Sequence, residues 1–93
     1  SYREGTPKSL LEAGAMGKPL IATNVPGCRN VIEDGLNGFL CEPKSSKSLA
    51  EAMRKVLTMN SETLKNLGIE SQKKITKEYD ETIIHQIYLN LIK

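Results

Sequence analysis

The chain has 93 residues, 39% of them hydrophobic and 26% charged, and its formal net charge at pH 7 is +2. This length allows one domain at most, since single domains commonly have about 100–150 residues, and the composition is that of a globular protein. Two cysteines, Cys28 and Cys41, are too few for a disulfide scaffold and have no metal-ligand spacing. No signal peptide is recognisable and no apolar run reaches the roughly 18–20 residues of a membrane span. We therefore expect reduced, partly buried thiols and a cytoplasmic location.

The first element predicted is a helix that starts at Thr6-Pro7. Thr6 is the expected N-cap, and Pro7 suits the first helical position because its missing N–H would be unpaired there anyway. About ten helical residues follow, and Gly17 is placed to end the helix. Residues 1–5 are typical of a loop that leaves a strand lying outside the sequence.

Two short strands are expected next. Residues 19–23 are apolar with turn residues on both sides, which is typical of a buried parallel strand. Pro26-Gly27 predicts a turn, residues 29–33 a short helix closed by Asp34-Gly35, and residues 38–41 a second strand stopped by Pro43.

Three further helices are predicted, beginning at Ser45, Ser61 and Asp80. Each carries an apolar stripe at helical spacing. The residues of these stripes are Leu49, Ala52, Met53, Val56 and Leu57 in the first helix, Leu64, Leu67 and 71–75 in the second, and Ile83, Ile84, Ile87, Tyr88 and Leu91 in the third.

The order of elements predicts an α/β fold with parallel strands, covering helices and a helical C-terminus. With the strand that lies outside the sequence, it would form half of a Rossmann-like domain. Ligands of open α/β sheets bind at the carboxyl ends of the strands. Residues 2–7 occupy such a position, so we seek the chemistry there.

Two glutamates, Glu4 and Glu12, flank this strand-to-helix turn. A helix start is an anion site, and Lys8 and Ser9 have the amides best placed to face a phosphate. Gly5 lets the backbone approach a ligand closely. Glu12 could accept from both hydroxyls of a ribose, and Glu4 from hydroxyls of a sugar beyond the diphosphate. Alternatively, both glutamates serve only the helix dipole.

The sequence around these glutamates resembles a known enzyme family. Residues 1–13 read SYREGTPKSLLEA, and the similarity continues through AMGKPLIAT, VPGCR and VIEDGLNGFL, up to residue 40. The segment resembles the E-x7-E signature of the retaining GT-B glycosyltransferases, the family 4-like "glycosyl transferases group 1". Residues 1–43 are closely similar and residues 44–93 agree in pattern only.

The resemblance implies that the whole chain, residues 1–93, is the C-terminal part of a nucleotide-sugar-binding domain, with the acceptor domain and the first half of the donor domain absent. It implies that Glu4 is catalytic and faces the donor sugar, and that Glu12 holds the ribose. The substrate-binding residues it implies are Glu4, Gly5, Thr6, Lys8, Ser9 and Glu12. No cofactor and no metal are implied.

The implied partners are a nucleotide-diphospho-sugar, UDP-linked in preference to GDP-linked, and a carbohydrate or lipid-linked acceptor. The family's diphosphate-neutralising Arg and Lys belong to the absent half, so we expect little or no activity from this chain alone. Transfer would proceed with retention by front-face departure of the diphosphate. No nucleic-acid partner is expected.

Other features leave alternatives open. Residues 44–77 contain eight basic and three acidic side chains. Such a run fits a peripheral contact with anionic lipid at the inner membrane face, or more commonly a solvated helix face. A Rossmann-like binding or regulatory module without catalysis would also satisfy the β/α pattern. A nicotinamide enzyme is disfavoured, because no G-x-G-x-x-G follows a strand. His85 is expected to be catalytically idle, and Arg29 to serve the structure.

Overall fold

A computed structural model describes residues 6–92, apart from the side chain of Leu91. The elements alternate between helices and strands before three helices in succession close the chain. They are α1 (Lys8–Ala15), β1 (Leu20–Thr23), α2 (Pro26–Arg29), β2 (Gly38–Cys41), α3 (Ser46–Thr58), α4 (Ser61–Glu78) and α5 (Glu81–Leu91).

The sheet of the described part consists of β1 and β2, which pair in parallel. Leu20 lies opposite Gly38 at the beginning of the two strands, and Thr23 lies opposite Cys41 at their end. Parallel neighbours need a crossover connection, and here it contains α2. This is the predicted partial Rossmann-like α/β architecture, with covering helices and a helical C-terminus.

The start of α1 differs from the prediction by one residue. Pro7, and not Thr6, is the N-cap, because its ψ of 128° is extended and helical geometry begins only at Lys8. No side chain of residues 6–92 caps the helix. The end agrees with the prediction: Gly17 has a φ of +75°, a left-handed conformation that glycine adopts without the clash of a Cβ.

The connection between the strands was predicted wrongly in its position. The short helix α2 covers Pro26–Arg29, whereas residues 29–33 had been expected to be helical and Pro26-Gly27 to form a turn. Proline is favoured at the first helical position as well as in turns, and here Pro26 begins a helix. The chain then turns through residues 35–37, and β2 occupies the predicted residues 38–41.

The core lies where α1, β1, α4 and α5 meet. It consists of apolar side chains that are at most 5% exposed: Leu11, Leu20, Val31, Ile32, Ile75, Tyr79, Ile83 and Ile87. The predicted stripes of α4 and α5 contribute to it, whereas that of α3 largely does not. Of the α3 stripe only Ala52 is buried, and Leu57 is 80% exposed.

Helix starts after β2 follow local rules. The Ser45 hydroxyl accepts from the amide of Ser48, and the Asp80 carboxylate accepts from the amide of Ile83, as predicted for N-caps. At α4 the helix begins at Ser61 as expected, and the preceding Asn60 supplies the cap.

Asn37 fixes the turn that enters β2. Its fully buried side chain accepts from the amide of Glu33 (2.7 Å) and donates to the carbonyl of Val31 (2.9 Å). Its carbonyl accepts from the hydroxyl of the buried Ser71 on α4 (2.8 Å). One residue therefore ties the turn, the sheet and α4 together.

We expect Asn37→Ala to lower the free energy of unfolding by about 2 kcal/mol, because it leaves two polar backbone groups without partners. Urea unfolding followed by circular dichroism measures this loss. A variant with the parental midpoint and slope would show that the side chain carries no net stability.

Candidate functional site

The start of α1 lies on the side of the molecule where both described strands end. A Cβ on Gly14, near the end of α1, would lie 3.5 Å from the side chain of Leu20, the first residue of β1. The end of the helix therefore meets the beginning of the strand, and the helix runs antiparallel to it. Its N-terminus therefore lies towards Thr23 and Cys41, which are the last residues of β1 and β2. This is the edge at which α/β sheets bind ligands.

The first turn of α1 presents two amides that have no partner among the described residues. The carbonyl of Pro7 accepts from the amides of Leu10 (3.2 Å) and Leu11 (3.3 Å). The amides of Lys8 and Ser9 donate to no acceptor within residues 6–92, and both residues are exposed. Free N–H groups at the positive end of a helix dipole form a binding site for an anion.

Glu12 lies one turn beyond Lys8, on the same side of the helix. The Lys8 ammonium and the Glu12 carboxylate are spaced for an i,i+4 ion pair, yet they form none. In the described part of the chain, neither side chain has a hydrogen-bond partner. Glu12 is half-buried, whereas Lys8 is exposed. A cation, an acceptor and two free amides therefore occupy the first turns of α1.

Thr6 precedes this helix start. Its hydroxyl oxygen is buried and has no hydrogen-bond partner in the part of the chain that the structure describes. A buried hydroxyl without a partner costs about 1–3 kcal/mol, so an acceptor brought by a ligand or by another part of the protein would stabilise it.

Of the six residues predicted to bind substrate, the structure brings four together at the α1 start. These four are Thr6, Lys8, Ser9 and Glu12. Glu4 and Gly5 lie outside the described residues, so their roles stay predictions.

Other side chains that drew attention in the sequence lie elsewhere. His85 is exposed on α5, and Arg29 is exposed in the last turn of α2, where a cation complements the helix dipole. Cys28 and Cys41 are free and buried, as predicted. Burial raises the pKa of the Cys28 thiol, which keeps it protonated and unreactive.

The structure also places polar residues at the ends of both strands that the sequence had not brought to attention. Thr23 ends β1, and Glu42 and Lys44 follow β2 directly. The rule that ligands bind at the carboxyl ends of parallel strands would have pointed to them, because the end of β2 was predicted correctly.

Between residues 6 and 92, no three His, Cys, Asp or Glu side chains are grouped so that they could hold a metal ion. None of the helices found there has the length and apolarity that crossing a bilayer requires.

Comparison with known proteins identifies the family. The model of "Glycosyl transferases group 1" matches residues 1–74. An N,N'-diacetylbacillosaminyl-diphospho-undecaprenol alpha-1,3-N-acetylgalactosaminyltransferase of Campylobacter jejuni is 35% identical over 91 residues, which cover 98% of this chain and 24% of that protein. The capsular polysaccharide biosynthesis glycosyltransferase CapM of Staphylococcus aureus is 32% identical over 85 residues, covering 90% of this chain and 22% of the relative.

A third relative is the N-acetyl-alpha-D-glucosaminyl L-malate synthase of Bacillus anthracis. It is 31% identical over an alignment of length 97, which covers all of this chain and 25% of that enzyme. The chain thus spans about a quarter of the length of these curated relatives. A family model that covers residues 1–74 of 93 includes both strands and most of α4. The chain belongs to the glycosyl transferases group 1 family.

Proposed function

We propose that this chain is the donor-binding part of a glycosyltransferase that takes a sugar from a nucleotide-diphospho-sugar. The observation that carries the proposal is the α1 start, where the amides of Lys8 and Ser9 and the carboxylate of Glu12, none of which has a partner within residues 6–92, adjoin one another. Amides bind the phosphates, and a carboxylate accepts from ribose hydroxyls. Family membership supports glycosyl transfer as the overall reaction.

In this proposal the α1 start stabilises the diphosphate as it leaves. Negative charge grows on the leaving oxygen in the transition state, and donors already in place stabilise it without reorganisation. Thr6 and the ammonium of Lys8 supply further donors there. Glu4 faces the donor sugar, Gly5 allows close approach of the backbone, and transfer retains the anomeric configuration.

The helix start does not neutralise a diphosphate alone. Its dipole contributes about 0.3–1 kcal/mol for each favourable interaction, which is far less than the desolvation of two phosphate charges requires. We therefore propose that the full enzyme adds the acceptor domain and the first half of the donor domain, including cations for the diphosphate. The chain alone should have little or no transferase activity.

The acceptor in this proposal is a carbohydrate or a lipid-linked carbohydrate. The Campylobacter jejuni relative is named for a diphospho-undecaprenol acceptor. A lipid-linked acceptor would bring the enzyme to the inner membrane face as a peripheral protein. We propose a UDP-sugar in preference to a GDP-sugar as the donor.

Glu12→Ala in the full-length enzyme should weaken binding of the whole nucleotide series, including the free nucleoside diphosphate. Hydrogen bonds to a charged group contribute about 1.5–3 kcal/mol, so the dissociation constant should rise roughly tenfold to a hundredfold. Isothermal titration calorimetry with UDP measures this change.

Glu62→Ala is the matched control, because Glu62 lies in the first turn of α4 and shares only the helix-dipole interaction. Its affinity for UDP should equal that of the parent. Unchanged affinity in Glu12→Ala would remove Glu12 from the site. If both glutamates at the α1 start can be lost without effect on binding or turnover, a docking or regulatory module becomes the better description.

A further inference from the structure

An open depression of about 400 Å³ lies at the carboxyl ends of β1 and β2. The last residues of both strands, the loop after β2 and the start of α3 surround it. The side chains of interest are Thr23, Glu42, Lys44, Ser46 and Leu49. Its position is the edge at which open α/β sheets bind their ligands, and its volume falls in the range of small-molecule sites.

Two serines hold the loop that forms one wall of this depression. The Ser45 hydroxyl accepts from the amide of Ser48 (3.0 Å), and the Ser48 hydroxyl accepts from the amide of Glu42 (2.9 Å). Between these anchors Lys44 has a φ of 57°, in the left-handed region that L-residues other than Asn and Asp seldom adopt. The loop is therefore fixed by its own hydrogen bonds.

The polar side chains that line the depression have no other task in the fold. Within the described chain, these side chains form no hydrogen bond and no ion pair; they are those of Thr23, Glu42, Lys44 and Ser46. A second depression, between Glu33 and α4, differs in this respect. There Lys74 pairs with Glu78 (2.5 Å) and Lys73 with Glu70 (3.7 Å), so four of its six charged side chains are paired with one another.

The free groups at the strand ends match the hydroxyls of a sugar. A hydroxyl can donate to the Glu42 carboxylate while its neighbour accepts from the Lys44 ammonium, and Thr23 and Ser46 can do either. Leu49, which is 45% exposed, offers an apolar surface to the C–H face of a pyranose ring. A bare phosphate fits less well, because Glu42 would repel it.

We propose that this depression is a carbohydrate subsite. It is separate from the α1 start, with which it shares no residue. Its affinity for a sugar does not depend on the proposed function.

The test is a titration of the uniformly ¹⁵N-labelled chain with N-acetylglucosamine, followed by amide chemical shifts. A hexosamine in one open subsite should bind with a dissociation constant on the order of 1 mM. The shifts should be confined to Thr23 and residues 42–49. No saturable shift there, or shifts caused by inorganic phosphate and not by the sugar, would overturn the proposal.

Two variants identify the groups that bind. Glu42→Gln and Lys44→Asn should each raise the dissociation constant about fivefold or more, since each removes a charge-assisted hydrogen bond. Asparagine tolerates the left-handed backbone, so Lys44→Asn should keep the parental melting temperature. Lys65→Ala, on the exposed side of α4, is the control and should bind the sugar normally. Parental affinity in both subsite variants would contradict the proposal.

The outcome is distinguishable from that of the proposed function. A titration of the full-length enzyme with UDP reports on Lys8 and Ser9, while a titration with the sugar reports on residues 42–49. If UDP fails to bind but the sugar binds at the strand ends, the donor site is wrong and the carbohydrate subsite stands. If UDP binds but the sugar does not, the carbohydrate subsite is wrong and the donor site stands.

Discussion

Replacing Glu4 by alanine in the full-length enzyme should lower kcat with the complete donor by about 10²–10³-fold, the range seen when a group that stabilises the transition state is removed. If Glu4 faces the sugar, its contact is strongest in the transition state, where charge develops at the reacting centre. Loss of that contact therefore lowers kcat. The affinity for the free nucleoside diphosphate should stay nearly unchanged, because that ligand lacks the sugar. Steady-state kinetics and calorimetry on the same variant separate the two effects.

The alternative role of Glu4 is service to the helix dipole. In that case the loss of Glu4 would lower the free energy of unfolding by a few tenths to about 1 kcal/mol and would leave kcat unchanged. Glu4→Gln helps to separate the roles, since it keeps the size of the side chain and removes the charge. Normal turnover together with a lowered melting temperature would make Glu4 structural and would refute its assignment to the sugar.

Replacing Gly68 by alanine should lower the free energy of unfolding by about 3 kcal/mol, the upper end of the usual cost of overpacking. Gly68 is buried where α4 crosses the end of α1, and a Cβ built on it would overlap the backbone carbonyl of Gly17. Backbone cannot rotate away as a flexible side chain can, so the two helices would have to separate. Gly17 cannot easily yield, because its φ of +75° closes α1.

Helix propensity alone predicts the opposite sign for this substitution. Alanine is more favourable than glycine in a helix interior by about 1 kcal/mol. Asn66→Ala, on the exposed side of the same helix, is the control and should stabilise slightly. Denaturant unfolding of both variants measures the change in the free energy of unfolding. If Gly68→Ala is as stable as the parent or more stable, α4 does not approach Gly17 as closely as the structure shows.

The parts of the fold that were predictable from sequence are those with local causes. Ser45 and Asp80 begin helices because a short polar side chain satisfies amides two or three residues ahead. β2 lies where an apolar run is bounded by Asn37-Gly38 and Pro43. Such signals act within a few residues, so the sequence alone contains them.

The errors arose where one residue type serves two structures. Pro26 is favoured in turns and at helix starts alike, and only the packing of the buried Cys28 and Gly27 decides for α2. Pro7 was placed one position too far into α1 for the same reason. Long-range contacts were inaccessible: nothing local indicates that Ser71 on α4 donates to the carbonyl of Asn37.

The candidate site shows the same division. The anion-binding helix start was predictable, because free amides follow from any helix N-terminus and Glu12 lies one turn beyond Lys8. The strand ends could have been singled out by the same kind of rule. That Thr23 and Lys44 line one depression could not be predicted, because they are far apart in sequence and meet only through the pairing of β1 with β2.

The most direct measurement of donor binding is a titration of the ¹⁵N-labelled full-length enzyme with UDP, read at single amides. We expect the largest saturable shifts at the amides of Lys8 and Ser9. These shifts should be downfield, as is usual for amides that donate to phosphate. Uridine without phosphates should not reproduce them. In Glu12→Ala the same amides should respond with a dissociation constant raised about tenfold. Saturable shifts elsewhere, with Lys8 and Ser9 unmoved, would contradict the proposal that the start of α1 binds the nucleotide.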